Sequence, residues 1–334
     1  MADITFIEGS GLADSVFGKT QAPIRRLIEK RGEAYEQESV VNRVFDVNRS
    51  ENYAEKITTL TAMDGFKPVG EMGAHPWDGM REGFSKTFEH MVWKDRFSIS
   101  REMLDDCKLL DMRKRPEGFV AGFYRTRERF GAGLLGSAMA GNDFAFGGET
   151  FDTKSSDGEY LFSTAHKCAA ADGTFSNKFA DEFSADALCA AESAMQGFVG
   201  DAGEELDVAP DTIIIPNDWV LAKAVFAAIG AERDPSGSGN GFNYQFGRWN
   251  VIIWQYLNRY AAAGEHPWIL MDSSYNKRFG GAVWFDRTKL EVTSWEDRDT
   301  NANVWDGYAR FCAGFADCRA FAVGGVSGGS ELLS

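Results

Sequence analysis

The chain has 334 residues, a hydrophobic content of 44% and a formal net charge of −15. A chain of this length can bury a substantial core, as one large domain or two smaller ones, and its hydrophobic content excludes a disordered protein. The acidic balance argues against a surface built to grip nucleic acid, because phosphate binding needs concentrated Lys and Arg.

The N-terminal segment shows no basic region followed by an apolar core, so no signal peptide is visible. No apolar run approaches the roughly 18–20 residues of a membrane helix. We therefore expect a soluble protein that is made in the cytoplasm. Its five cysteines, at positions 107, 168, 189, 312 and 318, form no CxxC pair, so the sequence supports neither a zinc nor a redox motif.

Residues 1–50 are predicted to form an arm rather than a core. Residues 23–31 offer one or two amphipathic turns with a basic face that includes Arg25 and Arg26. Gly, Ser, Asp and Asn surround this segment at the density of a loop. An arm of this kind needs another surface to fold against.

Residues 51–100 are predicted to form an extended hairpin. Residues 58–62 alternate as a strand does, residues 84–99 return as a second extended run, and a Gly- and Pro-rich segment separates them. Because a lone hairpin is marginal in water, we expect this one to lie on something else.

The longest helical pattern covers residues 113–140, where large apolar residues recur at helical spacing. Gly131, Gly133 and Gly136 weaken a helix, so a continuous helix predicts close packing against a neighbour. The flanking Arg125, Arg127 and Arg129 are interpreted first as a solvated face with local ion pairs to Glu128, and alternatively as contacts to DNA or an acidic partner.

A helix–strand alternation over residues 181–304 predicts a compact α+β unit. A helix follows the cap Ser184, and a second helix is capped by Asn217 or Asp218. Strands are predicted at residues 211–216, 249–254, 268–271 and 281–285. The glycine-rich segment 233–247, which contains Gly239, is predicted to be a loop.

The sequence contains few candidates for catalytic chemistry. The four histidines lie in different segments, and His166 with Cys168 comes closest to a ligand pair without reaching a metal motif. The loop around Gly239 lacks the GK[ST] ending of a phosphate-binding loop. A soluble α+β hydrolase that uses His166 and a carboxylate stays open as an alternative.

Three stretches carry a resemblance to a known family. Residues 97–106 look like a strand that ends in a turn before a long helix. Residues 158–166, GEYLFSTAH, together with Asn177, are similar to a stretch of Mu-like major head subunits. Residues 307–321 look like closing strands of the same family. With the order of the parts, these stretches resemble the major capsid protein of tailed bacteriophages, the Hong Kong 97-type fold.

The resemblance implies an α+β fold made of the family's parts. In this sequence the parts are the N-arm at 1–50, the E-loop hairpin at 51–100, the peripheral domain at 101–180 with a spine helix at about 113–140, the axial domain at 181–304, and a return to the peripheral domain with a C-terminal tail at 305–334.

The implied function is self-assembly into hexamers and pentamers of an icosahedral shell around packaged double-stranded DNA, with no enzymatic activity and no cofactor. The implied partners are other copies of the chain, a separate scaffolding protein, a portal and a possible decoration protein, within a virion assembled in the host cytoplasm. The alternative from another class is an encapsulin-like compartment, which shares the fold. Candidate subunit-interface residues are Arg25, Arg26, Phe66, Val69, Met72, Trp77, Gly239, Arg310 and Arg319.

Overall fold

The computed structural model describes residues 22–60, 66, 68–75, 77, 82–106, 109–169, 173–201, 203–233 and 242–333, with the backbone alone at 22–26, 60, 104–105 and 109–113. The helices are α1 (Ala22–Glu38), α2 (Val41–Val44), α3 (Arg101–Asp105), α4 (Leu109–Met139), α5 (Ala185–Gln196), α6 (Trp219–Ile229) and α7 (Ser273–Phe279), with 3-10 helices at Gln255–Arg259 and Cys318–Ala320. The first eight strands are β1 (Asp46–Arg49), β2 (Ala54–Leu60), β3 (Glu82–Glu89), β4 (Met91–Ile99), β5 (Phe144–Phe146), β6 (Glu149–Phe151), β7 (His166–Lys167) and β8 (Thr174–Phe175). The later strands are β9 (Thr212–Ile215), β10 (Asn250–Ile253), β11 (Trp268–Met271), β12 (Ala282–Glu296), β13 (Asn303–Phe315) and β14 (Phe321–Gly324).

Two four-stranded sheets organise the chain. The long-strand sheet has the order β1-β12-β13-β4, and the short-strand sheet has the order β10-β9-β11-β14. One large hydrophobic cluster includes residues of both sheets and of α4. Among the described helices, none combines the length and the apolar character that crossing a bilayer requires.

Helix α4 confirms the predicted long helix and lies on the long-strand sheet. Its Phe130 contacts Trp284 of β12 and Phe311 of β13, with ring centroids 5.8 and 5.9 Å apart. Its glycines provide the predicted close packing. A Cβ built on Gly133 would lie 2.1 Å from the ring of Phe144, and one on Gly136 would lie 2.3 Å from the ring of Tyr260.

Helices α5 and α6 begin where the sequence predicts. The Ser184 side chain accepts a hydrogen bond from the backbone N–H of Ala187, and Asp218 accepts one from Val220, so Asp218 is the cap of α6. Such caps stabilise a helix by about 1 kcal/mol because they satisfy a backbone N–H that lacks a helical partner.

The N-terminal arm is more structured than predicted. Helix α1 continues to Glu38 and contacts α4, where Tyr35 stacks on Tyr124 with centroids 5.5 Å apart. Strand β1 then runs parallel to β12 in the long-strand sheet. The described part of the arm therefore finds its surface on its own subunit, and its Val41, Val44 and Phe45 are buried in the large hydrophobic cluster.

The strands near the C-terminal end are distributed between the two sheets. Residues 281–304 were expected to belong with the strands of the α+β unit, but β12 pairs with β1 and β13 in the long-strand sheet. Conversely, the last strand, β14, pairs with β11 in the short-strand sheet. Strand β13 pairs with β12 and with β4 in the long-strand sheet. A buried apolar strand does not reveal from its own residues which sheet it joins.

The predicted hairpin is present, with one difference. Strand β2 pairs antiparallel with β3, from Ala54 opposite Glu89 to Leu60 opposite Glu82. The second extended run is interrupted at His90, after which β4 leaves the hairpin and pairs with β13. The hairpin is thus joined directly to the long-strand sheet.

Candidate functional site

The end of the hairpin presents large apolar side chains to solvent. We call residues 66–77, as far as the structure describes them, the tip. Phe66, Met72 and Trp77 are fully exposed, and Val69 is 52% exposed. Burying one such side chain contributes roughly 1.5–3 kcal/mol, so this cluster is the kind of surface that another protein covers.

One face of the paired strands of the hairpin lies against the subunit. We call Ile57, Thr59, Lys86 and Phe88 the root. The Thr59 hydroxyl donates to Asp201, 3.0 Å away, and the Lys86 ammonium lies 3.0 Å from a carboxylate oxygen of Asp152. Burial lowers the pKa of Lys86, and the charge of Asp152 opposes that shift.

Phe88 places the root on the long-strand sheet. It is 5% exposed and belongs to a small cluster with Val283, Cys312 and Ala316. A Cβ on Gly314 would lie 2.6 Å from the Phe88 ring. The absence of a side chain at this position of β13 therefore leaves room for the ring. Burial raises the pKa of the Cys312 thiol to about 12, which makes this cysteine an apolar core residue.

Below the root lies a buried ion network centred on Arg319. Its guanidinium contacts Asp201 at 2.8 Å and Asp317 at 3.4 Å, and its Nε donates to the backbone oxygen of Val199 at 2.8 Å. The Tyr275 hydroxyl donates to Asp317 at 3.0 Å. The carboxylates outweigh the effect of burial and raise the pKa of Arg319. Arg319, a candidate interface residue from the sequence, is 5% exposed and forms its ion pairs within the subunit.

A second buried polar group joins the motif around His166 to the end of the chain. The Nδ1 of His166 lies 2.7 Å from Asp157, and its Nε2 lies 3.2 Å from the Leu161 oxygen and 3.1 Å from Asn177 Oδ1. The Asn177 amide donates to backbone oxygens of Leu161, Cys318 and Phe321. The resemblance to Mu-like subunits thus rests on residues that tie this loop to the segment leading into β14.

The same group has the chemistry of metal ligands. Donor atoms of Asp157, His166 and Cys318 lie within 4.8 Å of one another. This set contains His166 but not Cys168, the residue paired with it in the sequence analysis, and takes Cys318 in its place. Both ring nitrogens of His166 already have hydrogen-bond partners, and the ring is fully buried, so the arrangement acts as a structural clamp.

Arg127 of α4 has a different partner from the one that the sequence predicts. Arg127 is buried and forms a bidentate pair with Asp286 at 2.7 and 3.1 Å, over the ring of Trp284. Glu128 instead accepts hydrogen bonds from Ser39 and Trp254. The predicted solvated ion pairs with Glu128 are therefore wrong for Arg127, because its partner is distant in sequence.

A second exposed apolar surface lies beside the predicted loop. Gly239 is outside the described residues, but the strand bridge between Arg233 and Phe242 closes the base of that loop. Aromatic residues of α6 and of the segment after the loop are exposed, namely Trp219, Phe226, Phe242, Tyr244 and Phe246. This surface was not predicted from the sequence, although the FNYQF run after the glycines is a signal for it.

The remaining candidates lie at the two ends of the chain. Arg25 and Arg26 are in α1, and their side chains fall outside the described residues. Arg310 lies on β13, half-buried, and its Nε has no hydrogen-bond partner within the described structure. The tip residues expose apolar side chains to solvent, and Arg310 has a buried nitrogen without a hydrogen-bond partner in the described structure. In both places the described part of the subunit supplies no partner.

Comparison with known proteins agrees with the arrangement of these parts. Residues 86–324 match the family model described as phage capsid protein. The chain belongs to the phage capsid protein family. A search of curated proteins finds no match.

Solved structures support the same fold. A structure of the capsid of Myoviridae phage XM1 is 13% identical, with a TM-score of 0.51 over 85% of this chain and 90% of that one. A chain of Mycobacterium phage Patience is 12% identical, with a TM-score of 0.50 over 98% of this chain and 91% of that one. The chain is thus a phage major capsid protein with an α+β fold of the Hong Kong 97 type. It is a structural component of the virion that forms the shell.

Proposed function

We propose that copies of this chain assemble into the hexamers and pentamers of an icosahedral shell that encloses double-stranded DNA. The observation that carries the proposal is the tip, where Phe66, Met72 and Trp77 are fully exposed in the single subunit. Such side chains are typical of the buried centre of a subunit interface. The tip would cover a neighbouring subunit while the root holds the hairpin in place.

The second exposed surface fits contacts around a symmetry axis. Its aromatic residues flank the loop that contains Gly239. A glycine-rich loop can adopt more than one backbone conformation, as subunits in hexamers and pentamers require. In this arrangement α6 and the loop belong to an axial domain.

The net charge of −15 supports enclosure of DNA without adhesion, because an acidic wall repels the phosphate backbone.

The basic segment with Arg25 and Arg26 departs from that balance, and we propose that it meets an acidic neighbour or a separate scaffolding protein during assembly in the host cytoplasm. A portal and a decoration protein complete the proposed partners. Reversing both charges should lower shell yield, and an unchanged yield would contradict this role.

An enzymatic role finds no support at the residue considered for it. His166 is fully buried and bonded at both ring nitrogens. The encapsulin-like alternative shares the fold, but the family model that matches most of the chain is that of phage capsid proteins. Particles that hold nuclease-resistant DNA would favour the phage shell, and particles filled with an enzyme would favour the alternative.

The test of self-assembly replaces the tip side chains. We expect the double variant Phe66→Ser/Trp77→Ser to unfold within about 0.5 kcal/mol of the wild type, since exposed side chains contribute little to the folded subunit. It should form few shells by sedimentation and negative-stain electron microscopy. Tyr53→Ser is the matched control, because Tyr53 is 69% exposed but lies outside the tip. Normal assembly of the double variant would contradict the role of the tip.

A further inference from the structure

Strand β4 forms an edge of the long-strand sheet. It pairs with β13 along its whole length, from Met91 opposite Phe311 to Ile99 opposite Asn303. In the sheet order it has no neighbour on its other side, and no backbone hydrogen bond among the described residues joins it to a further segment. An edge of this length offers a row of backbone donors and acceptors with which another strand can pair.

The even-numbered residues of β4 direct their backbone groups to this open edge. The Arg96 N–H donates to the side chain of Asp95 at 2.8 Å. The Ser98 oxygen accepts a hydrogen bond from a side chain of α4 at 2.5 Å. Both groups thus have partners outside β13, and in an antiparallel pair such residues alternate with those that bond the partner strand. The backbone groups of Val92 and Lys94 therefore face the open edge as well.

A cleft of about 300 Å³ is bordered by the middle of β4 and by α4. Its apolar lining comes from Trp93 of β4, from Phe119 and Phe123 of α4 and from Leu290 of β12. A cleft with such walls is suited to a large apolar side chain of a strand that lies along the edge.

Positive charge surrounds the cleft. Arg125 and Arg129 line it, are exposed and lie one turn apart on α4. Among the described residues, neither arginine has an ion-pair partner. Lys94 adds a third cation to the lining, against the single carboxylate of Asp95. The balance favours an acidic segment and disfavours a basic one.

Residues 1–21, which precede the described part of the chain, have the matching composition. They contain three carboxylates and one lysine. Within them, residues 3–8 have the sequence DITFIE, in which a carboxylate stands at each end and Ile4 and Phe6 alternate with Thr5. Alternation of this kind is typical of a strand with one buried face.

Helix α1 brings this segment close to the edge. Its Ile28 belongs to a buried cluster with Ile99, the last residue of β4, and with Phe119 of the cleft. The helix begins at Ala22, which lies about 9 Å from Ile28 along the axis. Residues 9–21 span up to about 45 Å when extended, whereas β4 is roughly 30 Å long. Residues 3–8 can therefore reach β4 of their own subunit.

We propose that residues 3–8 add as a strand to the open edge of β4 in the same subunit, with an apolar side chain in the cleft and a carboxylate beside Arg125 and Arg129. When a strand is added to a sheet edge, backbone hydrogen bonds supply affinity and pockets for alternate side chains supply specificity. Because the segment is tethered, its binding does not depend on protein concentration. The proposal concerns the single subunit and does not rest on self-assembly. It occupies an edge that would otherwise pair with other chains.

The test measures hydrogen exchange at β4 in the unassembled subunit, by mass spectrometry with fragmentation to single residues. We expect the amides of Val92 and Lys94 to exchange at least about tenfold more slowly in the wild type than in the double variant Ile4→Ser/Phe6→Ser, because the added strand bonds them. The amide of Trp93, which faces β13, should exchange equally in both and so report that the sheet itself is intact.

Two matched variants control for composition and charge. Leu12→Ser/Val16→Ser removes apolar groups from the same segment outside residues 3–8 and should exchange like the wild type. Arg125→Glu should speed exchange of the Val92 and Lys94 amides, because it repels the carboxylates of the segment, whereas Arg278→Glu, at an exposed position of α7, should not.

Three outcomes would overturn the proposal. Equal and fast exchange of Val92 and Lys94 in the wild type and in Ile4→Ser/Phe6→Ser would show that the edge is open. Protection that rises with protein concentration would assign the added strand to a second copy. Protection that is unchanged in Arg125→Glu would show that the occupant is not selected by its carboxylates.

Discussion

The root and the tip belong to the same hairpin but are stabilised in opposite ways. At the root, Phe88 is buried and Thr59 is hydrogen-bonded to an aspartate of a buried ion network. At the tip, Phe66 and Trp77 are fully exposed. The root residues lie on the paired strands β2 and β3, and the tip lies beyond the end of that pairing at Leu60 and Glu82.

The difference shows which contacts stabilise each part: contacts within the chain at the root, and contacts with another subunit at the tip. Substitutions at the root should change the stability of the single subunit, because its contacts lie within the chain. Substitutions at the tip should change assembly and leave the subunit alone, because its apolar surface has no partner there. A root substitution that changes assembly without changing subunit stability, or a tip substitution that destabilises the subunit, would contradict this difference.

The largest expected effect is at the network below the root. Arg319→Met leaves Asp201 and Asp317 buried without their cation, and breaking a buried pair in this way costs about 3–5 kcal/mol. We expect a much lower midpoint in urea denaturation or an insoluble subunit. Adding Asp201→Asn should recover part of the loss, because one uncompensated charge is removed.

The control for this prediction is Arg278→Met, at an exposed position of α7, which should unfold like the wild type. An Arg319→Met subunit that is as stable as the control would mean that the network does not hold the root, and the two ends of the hairpin would then no longer differ.

A smaller effect is expected at the loop that supports the root, and it depends on pH. Burial alone would raise the pKa of Asp157, but the hydrogen bond and charge of His166, with the hydroxyl of Ser155, hold it below the ordinary value. A carboxyl with a lowered folded pKa stabilises the fold fully above its unfolded pKa of about 4. That stability is lost as the pH falls through the folded value.

The measurement is the midpoint of urea denaturation between about pH 7 and pH 3. Asp157→Asn should be destabilised at neutral pH and should show a flatter acid limb, whereas Glu149→Gln, at an exposed residue of β6, should keep the wild-type slope. Equal slopes in the wild type and Asp157→Asn would show that this carboxyl does not anchor the loop.

Local features of the fold could be predicted from the sequence. The hairpin followed from period-two alternation around a Gly- and Pro-rich segment, and α4 from apolar residues at helical spacing. The glycines of α4 even indicated the close packing that Phe144 and Tyr260 provide. Each of these signals depends on neighbouring residues, which a single sequence displays.

Long-range pairing could not be predicted in the same way. Arg127 and Asp286 lie 159 positions apart, and Arg319 and Asp201 lie 118 apart, so no local spacing marks them as partners. The sheet membership of β12 and β14 has the same cause, since β12 pairs with β1 and β14 pairs with β11, both distant in the sequence. The bulge at Arg287 appears only once β12 and β13 are paired.

The smallest effect on stability is expected at Met72 of the tip, and it separates backbone strain from side-chain contact. Met72 has a φ of 60°, in the left-handed region that favours glycine, next to a turn in which the Gly73 N–H donates to the Gly70 oxygen at 2.8 Å. Met72→Gly relieves strain of about 1 kcal/mol but adds freedom to the unfolded chain, so the unfolding free energy should change by less than about 1 kcal/mol. Shell yield should nevertheless fall, because a fully exposed apolar side chain is lost, whereas Met72→Leu keeps the apolar group and should assemble normally. Equal yields from the two variants would mean that this side chain is not at an interface, and the tip would then be defined by Phe66 and Trp77 alone.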